Sequence, residues 1–158
     1  MKIDGIENFR YEEFFSPYYY KKWKDTPYWL INSIDPKLPI LAQFLRDRYE
    51  KAVTINNWLW RGKDDYPYDY SGFRDEKCEI GSKVSRHLLG LCIDVKVDGM
   101  EAPEVQRDIK ANYDEFSLKG LTALEEDTKT WTHLSVENTN WRHENGLWII
   151  PNPNKDGK

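Results

Sequence analysis

Two histidines and one aspartate carry the donor atoms of a candidate metal site in this sequence. His87 and Asp94 lie on one short stretch, and His133 follows on a later one. Two imidazoles and a carboxylate are a ligand set expected of a catalytic zinc ion that keeps a fourth position for water. The residue types alone leave a structural alternative open, in which the histidines are hydrogen-bonded strand residues and Asp94 is a buried ion-pair partner.

The spacing of His87 and Asp94 predicts a turn between them. On one continuous helix the two side chains would stand roughly 10 Å apart along the axis, too far to bind one ion. Gly90 permits the turn, because glycine adopts unusual backbone angles at no steric cost. Residues 91–97 then alternate apolar with more polar positions, which predicts a half-buried strand with Asp94 and Cys92 on its less apolar face.

A second strand is predicted around His133. Residues 130–136 alternate so that Trp131, His133 and Ser135 share one face. Two neighbouring strands that each offer one ligand, together with a histidine from the loop before the first strand, would bring the three ligands together.

Four ordered motifs resemble one known family. They are Ser85-x-His87-x-x-Gly90-x-x-x-Asp94, Trp131-x-His133, the stretch 53–58, and Ser71-Gly72-Phe73-Arg74. Together they resemble the zinc D-Ala-D-Ala carboxypeptidases and peptidoglycan endopeptidases, especially small phage and bacterial members, over roughly residues 35–138. The resemblance implies an α+β fold of the D-Ala-D-Ala carboxypeptidase/hedgehog-like kind, with a small, mainly antiparallel sheet, two or three helices on one face and the metal cleft on the other.

The resemblance also implies site residues. It assigns zinc ligation to His87, Asp94 and His133. The family's general base often stands three positions before the last ligand, where this chain has Thr130. Among the nearby carboxylates Glu125, Glu126 and Asp127, we expect Glu125 to be the base, with Glu126 second. Ser135 stands where the family usually has Asp, a change that affects hydrogen bonding around the ligands more than metal binding itself.

Three further residues have two interpretations each. Arg74 is either a surface arginine paired with Asp75 or, as the resemblance implies, a cleft residue whose planar fork holds a substrate carboxylate. Ser85 is expected to orient the turn or a ligand and to contact substrate, rather than to act as a nucleophile. Cys92 is interpreted as a small buried thiol in preference to a ligand.

The implied function is zinc-dependent hydrolysis of an amide bond in peptidoglycan stem peptides or cross-links, with Zn²⁺ activating a water and Glu125 moving its proton. The main alternative is a non-catalytic structural or binding protein, such as a phage virion component, that retains the peptidase scaffold. A third alternative is a structural zinc site, which requires a fourth protein ligand such as Cys92.

Composition limits the class of protein. A chain of 158 residues with 39% hydrophobic content is predicted to form one domain, and a net charge of -4 argues against nucleic acid as a partner. The sequence has no membrane-spanning run and no signal-peptide pattern. We therefore expect a protein that is cytoplasmic when synthesised, and the resemblance implies association with a virion or assembly partner, or release to act on the cell wall.

The remaining predictions concern secondary structure. They are a packed aromatic segment at 1–34 with irregular structure and a short helix, a helix at 36–50, a strand at 51–60, a loop at 61–70, a helix at 101–116, an edge strand at 147–150 and a flexible tail at 151–158. His143 is expected in an exposed polar loop.

Overall fold

The computed structural model describes residues 1–75, 78–79, 85–138 and 146–152. Its strands are β1 (Lys2–Ile3), β2 (Ile6–Arg10), β3 (Val53–Thr54), β4 (Cys92–Val97), β5 (Ala123–Glu125), β6 (Thr132–Ser135) and β7 (Trp148–Ile150). Its helices are α1 (Pro17–Trp23), α2 (Pro27–Ile31), α3 (Lys37–Tyr49), α4 (Ala102–Ala111) and α5 (Tyr113–Ser117), with 3₁₀ turns at Tyr11–Phe14 and Arg86–Leu89.

The larger sheet has five strands in the order β3-β4-β6-β5-β7. The pairs β3–β4, β4–β6 and β5–β6 are antiparallel, and β5–β7 is parallel. Strands β1 and β2 form a separate antiparallel hairpin. The predicted α+β class with a small, mainly antiparallel sheet is confirmed.

The two faces of the larger sheet differ in chemistry. Ile93 and Val95 of β4 and Leu134 of β6 belong to the buried hydrophobic core, and helices α3 and α4 both contact β4. Because side chains alternate along a strand, Asp94 and His133 lie on the opposite face. One face of the sheet therefore supplies the core, and the other carries the candidate ligands.

Helix α3 forms where the sequence predicts it. The Asp35 carboxylate accepts a hydrogen bond from the Lys37 N–H at 2.9 Å, which satisfies a donor at the start of the helix. Leu38, Leu41 and Leu45, which recur at helical spacing, are fully buried. Their burial fixes α3 on the core side of β4.

The prediction of one helix at 101–116 was wrong. The chain forms two helices, α4 and α5, because Asn112 leaves helical geometry with φ -125° and ψ 32°. The Asn112 side chain turns back onto the carboxylate of Asp108 at 2.8 Å, a local hydrogen bond of the kind with which asparagine competes against helix continuation.

The prediction of a long strand at 51–60 was also wrong, since β3 contains only Val53–Thr54. The chain leaves the sheet at two buried asparagines whose side chains bind other segments. Asn56 donates to the carbonyl of Phe15 and accepts from the Ser71 N–H, and Asn57 accepts from the Tyr68 N–H. These bonds hold the neighbouring loops instead of extending a strand.

The amino-terminal segment is more regular than predicted. Residues 1–34 form the β1–β2 hairpin, a 3₁₀ turn and helices α1 and α2. Phe14 and Phe15 are fully buried in the main core, so the segment packs on the rest of the chain as expected. The predicted loop at 61–70 and the edge strand at 147–150 are confirmed, and most of the predicted tail lies outside the described residues.

Among the described residues, the helices are all too short or too polar to cross a lipid bilayer.

The turn at Gly90 yields a prediction about stability. Gly90 has φ +66°, and a Cβ there would lie 1.9 Å from the carbonyl oxygen of Ser33. Gly90→Ala should lower the free energy of unfolding by more than about 2 kcal/mol, because it adds both a left-handed strain and a backbone clash. Urea denaturation followed by circular dichroism measures this loss.

The matched control for Gly90→Ala is Gly5→Ala. Gly5 has φ +73°, and a Cβ there would meet no atom within 4 Å. This control should cost only about 1 kcal/mol, the strain contribution alone. Equal losses in the two variants would show that the close approach to Ser33 does not matter.

Candidate metal centre

His87 is positioned by the 3₁₀ turn Arg86–Leu89. The Ser85 hydroxyl accepts a hydrogen bond from the His87 N–H at 3.3 Å, and Gly90 ends the turn in the left-handed region. The Gly90 carbonyl then accepts from the Asp35 N–H at 2.8 Å, which fixes the turn against the start of α3. Ser85 thus orients the turn, as one of its two expected roles required, and its contact with substrate stays a prediction.

Asp94 and His133 face each other across the central strand pair. They are direct partners in the register of β4 and β6. The Nδ1 atom of His133 lies 2.8 Å from Oδ1 of Asp94, and the Nε2 atom of His87 lies 3.4 Å from Oδ2. The structure therefore brings together the three residues that the sequence predicts as ligands.

The ring of His87 is held by its other nitrogen. Its Nδ1 lies 2.8 Å from the carbonyl oxygen of Gly72, which can only accept, so Nδ1 carries the proton. The Nε2 atom is buried and has no hydrogen-bond partner among the described residues. A histidine whose outer N–H is bound to a backbone carbonyl, and whose inner nitrogen faces a carboxylate without a hydrogen bond of good geometry, fits the pattern of metal-ligating histidines.

Cys92 belongs to the same cluster. The candidate donor atoms of His87, Cys92 and His133 all lie within 4.8 Å of one another, and all three residues are buried. Cys92 is buried, as the sequence interpretation expected, but that interpretation missed the contact with both imidazoles, and its preference for a packing thiol over a ligand is not confirmed. The alternation along β4, which puts Cys92 and Asp94 on one face, was the signal for that contact.

The segment Ser71–Arg74 encloses the cluster through backbone hydrogen bonds. The Ser71 carbonyl accepts from the Asp94 N–H at 2.7 Å, and the Arg74 N–H donates to the His87 carbonyl at 3.2 Å. A Cβ at Gly72 would lie 2.2 Å from the carbonyl oxygen of Phe14, so only glycine fits there. The predicted Ser-Gly-Phe-Arg motif is thus part of the site.

Arg74 faces the cluster and is not a surface residue. Its Nη2 lies 3.2 Å from Oδ2 of Asp94, its Nε donates to the Tyr70 carbonyl at 2.5 Å, and its side chain is 11% exposed. This position agrees with the cleft interpretation. The expected contact between Arg74 and a substrate carboxylate stays a prediction.

Glu125 lies on the same face as the ligands. In the β5–β6 pair, Ala123 is opposite Ser135 and Leu124 opposite Leu134, so the next step of this register brings Glu125 beside His133. By contrast, Glu126 pairs with Lys110 of α4, and Asp127 is exposed. Of the three acidic candidates, Glu125 is the one that the sheet places beside the cluster, and its role as general base stays a prediction.

The charges in the cluster depend on one another. Burial alone would raise the pKa of Asp94, but the nearby His87 and His133 hold it well below its ordinary value. Burial would lower the pKa of His87, yet Asp94 and Cys92 raise it to about 9, and the same two groups raise the pKa of His133. Asp94 and Cys92 therefore stabilise the protonated, positively charged forms of the two histidines.

Glu125 shows the opposite trend to Asp94. Burial raises the pKa of Glu125, and the negative charge of Asp94 raises it further, whereas His133, His87 and Arg74 oppose the shift. All four of these charged groups therefore act on the Glu125 carboxylate. A raised pKa suits a carboxylate that takes up and returns a proton near neutral pH.

Two cavities open beside Arg74. One, of about 510 Å³, also reaches Asp94 and is walled by Tyr68, Lys96 and Trp131, among others. The other, of about 460 Å³, is lined mainly by aromatic residues of α1 and α2 together with Phe73. The first cavity is the one that reaches a candidate ligand.

The two departures from the family pattern have separate structural outcomes. Thr130 is exposed, and its carbonyl accepts from Lys96. Its side chain has no carboxylate or imidazole to offer the cluster. The Ser135 hydroxyl donates to the Leu91 carbonyl at 3.1 Å and ties β6 to the residue before β4. His143, expected in an exposed loop, lies outside the described residues.

The pKa of His87 predicts how stability depends on pH. Folding raises this pKa from 6.5 to about 9, so the metal-free protein should lose stability as the pH rises through about 9. Zinc competes with protons for the same imidazoles, so its stabilisation of the fold should increase as the pH rises from 6.5 to about 9. Thermal unfolding with chelator and with equimolar zinc measures both trends.

The variant His87→Gln serves as the control for this pH dependence. It removes the titrating group, so the decline in stability with pH should become shallower in chelator, and the gain from zinc should shrink. A metal-free wild type whose stability increases through the same interval would contradict the charge distribution described above.

Comparison of the chain with family models, with curated proteins and with solved structures gives no significant match. The resemblance to zinc peptidases thus depends on the four motifs themselves, and the geometry of the cluster is independent support for a metal site.

Proposed function

We propose that this protein is a zinc-dependent peptidase that hydrolyses an amide bond in peptidoglycan stem peptides or cross-links. The observation that carries the proposal is the convergence of His87, Asp94 and His133 on one face of the sheet, with the buried Nε2 of His87 left without a hydrogen-bond partner among the described residues. Such a group is costly to bury unless an ion or a proton binds it.

The residues present fit a zinc ion. His87 and His133 offer imidazole nitrogens, and Asp94 offers a carboxylate between them. Bound there, zinc would supply Lewis acidity toward a scissile carbonyl and toward water. Other divalent ions also accept nitrogen and oxygen ligands, so the identity of the metal rests on the family resemblance.

In this proposal the Glu125 carboxylate takes a proton from the attacking water and later gives it to the leaving amine nitrogen. Its support is the position of Glu125 on β5 beside His133 and the rise of its pKa on burial. Proton transfer by a positioned carboxylate is the ordinary role of such a residue in amide hydrolysis.

The cavity beside Asp94 is the proposed binding site for the peptide. Its walls include two cations, Arg74 and Lys96, two carboxylates, Asp69 and Asp94, and aromatic rings such as that of Trp131. Lys96 lies 4.7 Å above the Tyr68 ring. In this proposal the two cations bind free carboxylates of the stem peptide, and the rings pack against its apolar parts.

The peptidoglycan assignment is supported by the sequence motifs rather than by the geometry alone. A protein with this substrate would have to reach the cell wall, either released by a phage or carried by an assembly partner. The fold that the motifs imply, the D-Ala-D-Ala carboxypeptidase/hedgehog-like kind, agrees with the observed α+β architecture at the level of class.

Glu125→Gln tests the proposed base. The variant should cut muropeptides about 10²- to 10⁴-fold more slowly than wild type while retaining its zinc, because the amide cannot accept the proton. Product formation is followed by chromatography of a digest, and metal content by elemental mass spectrometry on the same samples. Glu126→Gln is the matched control, since Glu126 pairs with Lys110, and it should retain activity.

His133→Ala tests the metal site. The wild type should contain about one zinc per chain and the variant should lose it, together with cleavage, because a direct ligand is removed. The control is His143→Ala, which should keep both, and circular dichroism checks that each variant folds. Zinc bound to a wild type that cuts no muropeptide would favour the non-catalytic binding protein, and a wild type without zinc would refute the site.

A further inference from the structure

We propose that Cys92 is a metal ligand in place of Asp94, so that the imidazoles of His87 and His133 and the sulfur of Cys92 hold the ion and a fourth position stays open for water. This inference rests on the metal site of the proposed function and departs from the ligand set that the family resemblance implies. It concerns which atoms hold the ion, and not whether peptides are cut.

The position of Cys92 in the sheet supports this assignment. Cys92 is the first residue of β4 and precedes Asp94 by one full period of the strand, so both side chains lie on the ligand face. Its partner across β6 is Ser135, the neighbour of His133 on that face. Because both strands are held in register by the central ladder, the Cβ atom of Cys92 is fixed on the ligand face.

The distances agree with a shared ion. The donor atoms of His87, Cys92 and His133 lie within 4.8 Å of one another. Ligands at about 2.0–2.3 Å from a tetrahedral zinc ion stand roughly 3.3–3.8 Å apart. The cluster therefore needs only a small contraction to close on one ion.

A second observation points to the same ion. His87 is 1% exposed, and its Nε2 has no hydrogen-bond partner among the described residues, although its Nδ1 is bound to Gly72. The thiol of Cys92 is fully buried as well. A thiolate sulfur is a soft donor and an imidazole nitrogen a borderline one, and together they favour zinc over magnesium and manganese.

Packing alone does not require a sulfur atom at position 92. An alanine would fill the same position on β4 with an apolar group and no donor atom. The thiol instead adds a donor whose preferred partner is a soft divalent ion. The chemistry of the site thus predicts a metal preference that a two-histidine, one-carboxylate site would not have.

X-ray absorption spectroscopy at the zinc edge tests the proposal on the zinc-loaded, full-length chain. The wild type should show a sulfur shell at about 2.3 Å in addition to nitrogen and oxygen at about 2.0–2.1 Å. Cys92→Ala should lose the sulfur shell, and its zinc affinity, measured by competition with a chelator, should fall on the order of tenfold or more. Circular dichroism confirms that the variant is folded.

Cys78→Ala is the matched control, because Cys78 is the other of the two cysteines and is not part of the cluster. It should keep both the sulfur shell and the affinity. A wild type that binds zinc with nitrogen and oxygen neighbours alone would overturn the role of Cys92 and leave the proposed peptidase intact. A wild type that binds no zinc would overturn both.

Discussion

The charge of Asp94 is the constraint on which the centre of this fold depends. Its carboxylate is 13% exposed and lies among three potential cations, the imidazoles of His87 and His133 and the guanidinium of Arg74. A buried carboxylate is costly unless its charge is balanced and its oxygens are bonded. Three separate segments must therefore meet at this one residue, and the sheet register between β4 and β6 makes the meeting possible.

The aromatic amino-terminal segment helps to hold in place the groups that surround Asp94. The segment Ser71–Arg74 supplies the carbonyls that bind Asp94 and His87, and it is itself held by the Phe73 N–H donating to the Phe14 carbonyl at 2.7 Å. Phe14 and Phe15 are anchored by burial in the core. Packing of residues far from the ligands in sequence thus fixes the orientation of the His87 ring.

The sequence predicted the elements whose signals are local. Helix α3, strand β4 and strand β6 each follow from the periodicity of a few side chains, and the turn at Gly90 follows from the spacing of His87 and Asp94. The break at Asn112 depends on a local side-chain hydrogen bond, and the early end of β3 depends on side-chain hydrogen bonds to other segments; periodicity reports neither. The contact of Cys92 with both imidazoles depends on the register between β4 and β6, which the alternation along each strand does not specify.

The order of the strands also offers an explanation for the departure at Thr130. The turn before β6 carries no acid at that position, and its carbonyl is engaged by Lys96. Strand β5, however, lies directly beside β6, so the last residue of β5 ends next to His133. The backbone of Glu125 is paired with Ile150 of β7, and the two residues before it are paired with β6, so its position at the end of β5 is fixed by the sheet. In the proposed peptidase, sheet order would thus compensate for an acid that the turn lacks.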